Sequence, residues 1–214
     1  RSRKRLRKGV PTGPPFHLWF VNHRHARLGR GRRGPARQGD GFGPRAMTLS
    51  TIALIVFPLL MAYAASSDLL TMRIANWLVA LLVVCFFLIA IAIGMPWETL
   101  LVHTGLALGV LLAGFAFFAF GWIGAGDAKL AAATTLWVGL GLMLPYLIYA
   151  ALLGGALTLL LLAVRRWPLP PPFAGTGWIE RLHDRKTGVP YGIALAAAGI
   201  LVYSRTDIFQ QLIA

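Results

Sequence analysis

Cysteine is nearly absent from this 214-residue chain: Cys85 stands alone inside the apolar run Val83-Val84-Cys85-Phe86-Phe87. A single thiol can form neither an intrachain disulfide nor a cysteine-rich metal site, and one placed in such a run reads as a small buried hydrophobe. Charge is also scarce. Charged side chains make up 13% of the sequence and hydrophobic ones 57%, whereas soluble domains carry about 25% charged residues, so a soluble globular domain is excluded. Acids are the rarest class. From Met47 onward there are six: Asp68, Glu98, Asp127, Glu180, Asp184 and Asp207.

The net charge of +14 suggests a nucleic-acid binder until its distribution is considered. Residues 1–46 hold 13 of the 21 lysines and arginines with one acid, Asp40; the remaining 168 residues carry 8 basic and 6 acidic side chains. A nucleic-acid-binding reading therefore rests on a tail and fails beyond it. That tail is rich in Arg, Gly and Pro and lacks apolar periodicity, a composition that reads as disordered. Met47 stands directly before the first hydrophobic run, so residues 1–46 read as a mis-assigned upstream extension; the rival is a basic arm touching anionic lipid or nucleic acid. No compact apolar segment with a small-residue cleavage site follows the charges, which argues against a targeting peptide. Residues 47–214 form the domain of interest.

A membrane-spanning helix needs about 20 apolar residues. Six segments meet or approach this: Leu49 to Ala65, Trp77 to Gly94, Leu100 to Phe120, Leu130 to Leu144, Tyr146 to Val164 and Val189 to Tyr203. The expectation is an all-α integral membrane protein of about six transmembrane helices. Turns are expected at 94–98, at 121–126 and at Pro145, with one long connection from Arg165 to Gly188. The short fourth and sixth segments imply tilt or local thinning of the bilayer. Gly105, Gly109, Gly114, Gly154 and Gly155 suit close helix approach. Trp77, Trp97, Trp122, Trp137 and Trp178 read as interface anchors, and His103 as a hydrogen-bonded packing residue.

Counting basic residues in alternate loops gives orientation. One side receives Arg73, Lys129, Arg165, Arg166, Arg181, Arg185 and Lys186; the other receives Arg205. The first side is expected to be cytoplasmic, and Asp68 and Asp127 fall on it.

Those two acids sit at the ends of hydrophobic segments behind small residues, in Ala65-Ser66-Ser67-Asp68 and Gly124-Ala125-Gly126-Asp127-Ala128-Lys129. A carboxylate at the centre of a membrane helix costs roughly 2.5–3.5 kcal/mol even on the lower scales, so such acids are functional candidates. Asp127 as a helix N-cap and Asp68 as an interfacial cap are the plain structural alternatives. A small transporter or proton relay is the functional alternative, but a relay expects acids near the bilayer midplane rather than at one face.

The stretch from Asp68 to Leu78, the Gly124-Ala125-Gly126-Asp127-Ala128-Lys129 element and Pro190-Tyr191-Gly192-Ile193-Ala194 together resemble the type IV prepilin peptidases, in the family's order along the chain. The resemblance is nearest to the short, peptidase-only form of tight-adherence (Flp) pilus systems. It implies an aspartic endopeptidase of the bacterial inner membrane, needing no cofactor or metal, that cuts prepilin or pseudopilin leaders at the cytoplasmic face. Asp68 and Asp127 would be the catalytic pair. Asn76, Gly124, Gly126, Lys129, Pro190, Tyr191 and Gly192 would bind substrate or support the site. The expected partners are the prepilin and membrane lipid, with no nucleic acid.

Two departures stand out. Ile74-Ala75-Asn76 replaces the family's Ile-Pro-Asn, which puts the local bend in question. The paired Cys-x-x-Cys motifs of the longer, N-methylating members have no counterpart beside Cys85.

The chemistry suits two carboxyls, since adjacent like charges share one proton and so supply both a base and an acid. Gly124 and Gly126 would let the backbone turn and a substrate strand approach Asp127. Lys129 would snorkel to the interface or meet acidic substrate residues. Pro190 also fits the first turn of a helix without any function. Asp127 at the start of a helix is expected to be the ionised base, and Asp68, behind the negative end of the first helix, to hold the shared proton.

Overall fold

The structure, a computed structural model, describes residues 44–169, 172 and 175–213. The basic tail expected over residues 1–46 lies outside the described residues as far as position 43, and the first helix already begins at Pro44. All regular structure among the described residues is helical.

Helix α1 (Pro44–Thr71) buries Ala53, Phe57, Met61 and Ala64, a stripe at helical spacing whose next member is Asp68. Helix α2 (Asn76–Ala92) buries every fourth residue: Leu78, Leu82, Phe86 and Ala90. Helix α3 (Trp97–Ala119) fully buries only His103 and Gly114, and Leu101, Val102, Leu108, Leu112, Phe117 and Phe118 are exposed. Helix α4 (Ala125–Val164) is central, buried almost all round between Ala128 and Gly139. A short helix, α5 (Gly177–His183), interrupts the long connection, and α6 (Gly192–Tyr203) and α7 (Asp207–Ile213) close the chain.

Among the described residues, three helices can cross a membrane by length and composition, and a fourth does if α6 and α7, bent by 46°, count as one span. The six expected segments lie largely in helices; α2 has 17 residues, and the fourth and fifth segments fall on either side of a break within α4.

The break in α4 lies at Gly139 (φ 71°, ψ −177°), not at the expected Pro145, which continues as helix. Only glycine adopts those angles without large strain. The Thr134 and Tyr146 hydroxyls are neighbours although a straight helix would hold them about 18 Å apart. The two limbs, residues 125–138 and 140–164, therefore fold back on each other. His103 completes the break. Its Nδ1 lies 2.7 Å from the Leu136 carbonyl, an acceptor only, so Nδ1 carries the proton and donates there.

The core is aromatic. Phe57 stacks on Tyr203 (4.7 Å between centroids) and meets Trp137 at 5.0 Å, while Trp137 Nε1 donates to the Leu82 carbonyl at 3.1 Å. Trp137 is thus a core residue rather than an interface anchor; Trp77, Trp97 and Trp122 are exposed. Of the glycines expected to admit close approach, Gly114 does so against Ala128 and Gly154 against the Tyr191 ring. Gly105, Gly109 and Gly155 face open space.

Candidate active site

Asp68 lies within the last turns of α1, three residues beyond the expected end of the first segment, and is 4% exposed. The helix stops at Met72, whose left-handed φ of 53° is rare outside glycine. Thr71 Oγ1 donates to the Ser67 carbonyl at 2.7 Å, and Ser67 Oγ donates to the Arg73 carbonyl at 3.0 Å. These bonds fix the turn that leads through Ile74. Ala75 then caps α2 at φ −68°, ψ 134°. Proline is locked near that φ, so the bend questioned from the sequence is present with alanine in place.

Asp127 is the third residue of α4 rather than its N-cap, which is Gly124. Its carboxylate turns back on the Gly124 N–H, the returning half of a capping box. Gly124 has an ordinary extended conformation (φ −74°, ψ 146°), so the turn itself does not need glycine; space does. A Cβ there would stand 3.0 Å from Asp127 Oδ2, and one on Gly126 would stand 3.3 Å from Ile74.

The Pro190-Tyr191-Gly192 element brings the start of α6 onto Asp68. The Gly192 N–H donates to Asp68 Oδ2 at 2.7 Å, and the Ile193 N–H faces the same carboxylate. A Cβ at position 192 would lie 2.8 Å from that oxygen and 2.8 Å from Ile74 Cδ1, so only glycine admits the approach. The sequence argument set Asp68 against the negative end of α1. Its neighbour is instead the positive end of α6, so the helix dipoles no longer distinguish the two acids.

Asp68 and Asp127 line one cavity of about 460 Å³, with Arg73, Ile74, Gly126 and Pro190 among its walls, and the two carboxylates sense each other's charge across it. Other expected site residues stand at its margin. Lys129 Nζ donates to Asn76 Oδ1 at 3.0 Å, joining the starts of α4 and α2, and its stem lines an apolar groove between α2, α3 and α4. The Tyr191 side chain turns onto the second limb of α4, where its hydroxyl donates to the Ala150 carbonyl at 3.1 Å.

Two further residues contribute. Arg73, which the sequence offers for membrane orientation and, with Asn76, for orienting the loop after Asp68, lines the cavity and makes no side-chain hydrogen bond or ion pair among the described residues. Arg165 is 7% exposed and donates from Nε to Leu182 O (2.8 Å), from Nη1 to Thr187 O (3.2 Å) and from Nη2 to Gly188 O (2.9 Å). Gly188 lines the cavity, so this buried cation holds one of its walls. A charge directly after an apolar segment was the available signal, and it was spent on orientation.

Residues 55–159 match the sequence model of the type IV leader peptidase family. The chain belongs to that family. The matched stretch contains Asp68, Asp127 and the Gly139 break, and Pro190-Tyr191-Gly192 lie beyond it. No curated protein and no solved structure matches the chain. Membership of the type IV leader peptidases makes this a peptidase, and its long apolar helices make it a membrane protein.

Proposed function

We propose that this leader peptidase is an aspartic endopeptidase of the bacterial inner membrane that removes the leader of Flp-like prepilins at the cytoplasmic face, with Asp68 and Asp127 as its catalytic pair. The observation that carries the reading is that both carboxyls open onto one cavity, each anchored by backbone N–H groups at a helix start.

In the proposed mechanism a water sits between the two acids. Asp68, solvated by the Gly192 N–H, suits the carboxylate role and takes a proton as the water oxygen attacks the scissile carbonyl carbon. Asp127 carries the shared proton and gives it to the carbonyl oxygen. Collapse of the tetrahedral intermediate breaks the C–N bond as Asp68 passes its proton to the leaving amine and Asp127 recovers its own. These roles are the reverse of those expected from the sequence; the Gly192 N–H on Asp68 Oδ2 supports them, since the helix dipoles do not separate the two acids. Arg73 at the cavity edge suits an acidic residue of the substrate.

The cytoplasmic assignment draws on the clustering of basic residues around this end of the bundle. Arg181 Nη2 donates to Leu70 O at 2.6 Å, and Arg165 and Arg185 hold the connection that ends at Gly188.

The test is co-expression with a candidate Flp-type prepilin and measurement of leader loss by mass. Asp68→Asn and Asp127→Asn should each abolish cleavage at normal membrane levels; substantial cleavage by either sinks the pair. Reporter fusions after Arg73 and Arg185 should read cytoplasmic and one after Pro96 exterior; inverted signals overturn the orientation.

A further inference from the structure

A second cavity, of about 280 Å³, lies at the C-terminal end of α4 and is lined by Leu162, Arg165, Arg166 and Arg185. Three of those four residues are cations and none is an acid. Arg165 spends its guanidinium inward on backbone carbonyls, as described above. Arg185 lies over the Arg165 carbonyl, donating from Nη2 at 3.1 Å. Arg166 is exposed and makes no side-chain hydrogen bond or ion pair among the described residues. The acids of the same connection are engaged elsewhere: Asp184 Oδ1 accepts the Lys186 N–H at 2.9 Å, and Glu180 Oε1 accepts the Gly175 N–H at 2.7 Å. Like charges gathered in one cavity without a carboxylate repel one another, and an anion placed among them relieves that repulsion.

The surroundings indicate which anion. Leu159, Leu162 and Val164 are about half or more exposed on the last turns of α4, and Trp167, just past its end, is 76% exposed. An apolar helix flank ending in arginines and an exposed Trp marks the depth at which hydrocarbon gives way to headgroups. Basic pockets at that depth suit lipid phosphates. An arginine fork binds phosphate oxygens in pairs, which lysine does not.

We propose that this three-arginine cavity binds the phosphate of an anionic membrane phospholipid, with an acyl chain lying along the exposed leucines of α4. Arg166 supplies an unengaged fork, and Arg185, whose Nε and Nη2 edge lies on the Arg165 carbonyl, supplies its remaining donors. Arg165 underlies them and ties the site to Gly188, so the headgroup site and the aspartate cavity share the segment that Arg165 holds.

The experiment uses the full chain in an uncharged detergent at physiological salt, titrated with dioctanoyl phosphatidylglycerol, dioctanoyl phosphatidylcholine and inorganic phosphate. The basic tail is common to every variant, so the difference between variants is the readout. Arg166→Gln/Arg185→Gln should weaken phosphatidylglycerol binding by about tenfold or more, the loss expected when charge-assisted forks are removed. Arg166→Lys/Arg185→Lys should recover part of that loss, and Arg205→Gln should change nothing. Equal binding by wild type and the Gln pair overturns the proposal, as does the same loss for phosphatidylcholine. Displacement of the lipid by equimolar inorganic phosphate means a soluble-anion site and overturns the lipid assignment. Thermal unfolding is followed alongside. If the Gln pair does not fold, Arg166→Gln alone decides, because that side chain makes no contact whose loss would unfold the protein, and unchanged binding by it overturns the proposal.

Discussion

The Gly192 N–H reaches Asp68 Oδ2 at 2.7 Å across 124 positions of chain, and it does so only because position 192 has no side chain. That contact ties the start of α6 to the end of α1 and sets the direction of one carboxyl. Gly192→Ala puts a methyl 2.8 Å from the oxygen, so carboxylate or helix must shift and the charge-assisted bond is lost. Such a bond contributes about 1.5–3 kcal/mol, which corresponds to a fall in leader cleavage of about ten- to a hundredfold. Cleavage assays on membrane-inserted Gly192→Ala check this, and near wild-type cleavage would show that the bond does not set the geometry.

Tyr191 is expected to matter for packing rather than for proton transfer. Its hydroxyl donates to Ala150 O and its ring covers Gly154, where a Cβ would overlap the ring. Tyr191→Phe removes one neutral hydrogen bond, about 1 kcal/mol, and should leave cleavage within a few fold of wild type. Gly154→Ala evicts the ring and should cost more in both thermal stability and cleavage. The reverse ranking, with Tyr191→Phe inactive and Gly154→Ala active, would give the phenol a chemical role.

Much of this arrangement could be read from residue order. The stripe Ala53, Phe57, Met61, Ala64 runs on to Asp68, and small residues flank Asp127, so both acids announced themselves as close-packed. The Gly139 break could not be read, because Pro145 is the stronger local breaker and the ring that packs against the glycine, His103, comes from another helix. Trp137 was misplaced for a related reason: a tryptophan in an apolar run signals an interface unless a partner for its indole is known, and that partner, Leu82 O, lies 55 residues away. The environment of Asp68 depends on a contact 124 residues distant, and no local dipole argument reaches that far.

The Gly139 break is expected to be among the least tolerant positions. A Cβ there would approach the His103 ring to 2.6 Å, and the backbone angles are nearly closed to other residues. Strain of this kind costs about 1–3 kcal/mol before the clash is added. Gly139→Ala should therefore lower the thermal unfolding temperature in detergent sharply. His103→Phe keeps a ring against Phe86, now 5.7 Å between centroids, but removes the buried hydrogen bond to Leu136 O. Such a bond contributes about 0.5–1.5 kcal/mol. Both variants should lose stability, with any remaining folded fraction still able to cleave. A stable but inactive His103→Phe would instead make the histidine part of the chemistry.

Ala75 offers a change in the opposite direction. It caps α2 at φ −68°, within the narrow range that proline imposes, and it donates none of the backbone hydrogen bonds found in this turn. Its carbonyl, which proline would keep, accepts the Leu78 N–H at 3.1 Å. Proline at such a position restricts the unfolded chain more than the folded one and stabilises by about 0.4–1 kcal/mol. The residue before it, Ile74, lies in irregular backbone outside both helices, where an X-Pro pair is tolerated. Ala75→Pro should therefore raise the unfolding temperature by a small amount and leave leader cleavage unchanged, because the turn that carries Arg73 and Ile74 past Asp68 already has the shape proline would impose. A loss of stability, or of cleavage at normal membrane levels, would mean that the alanine turn differs from a proline turn in a way the site depends on.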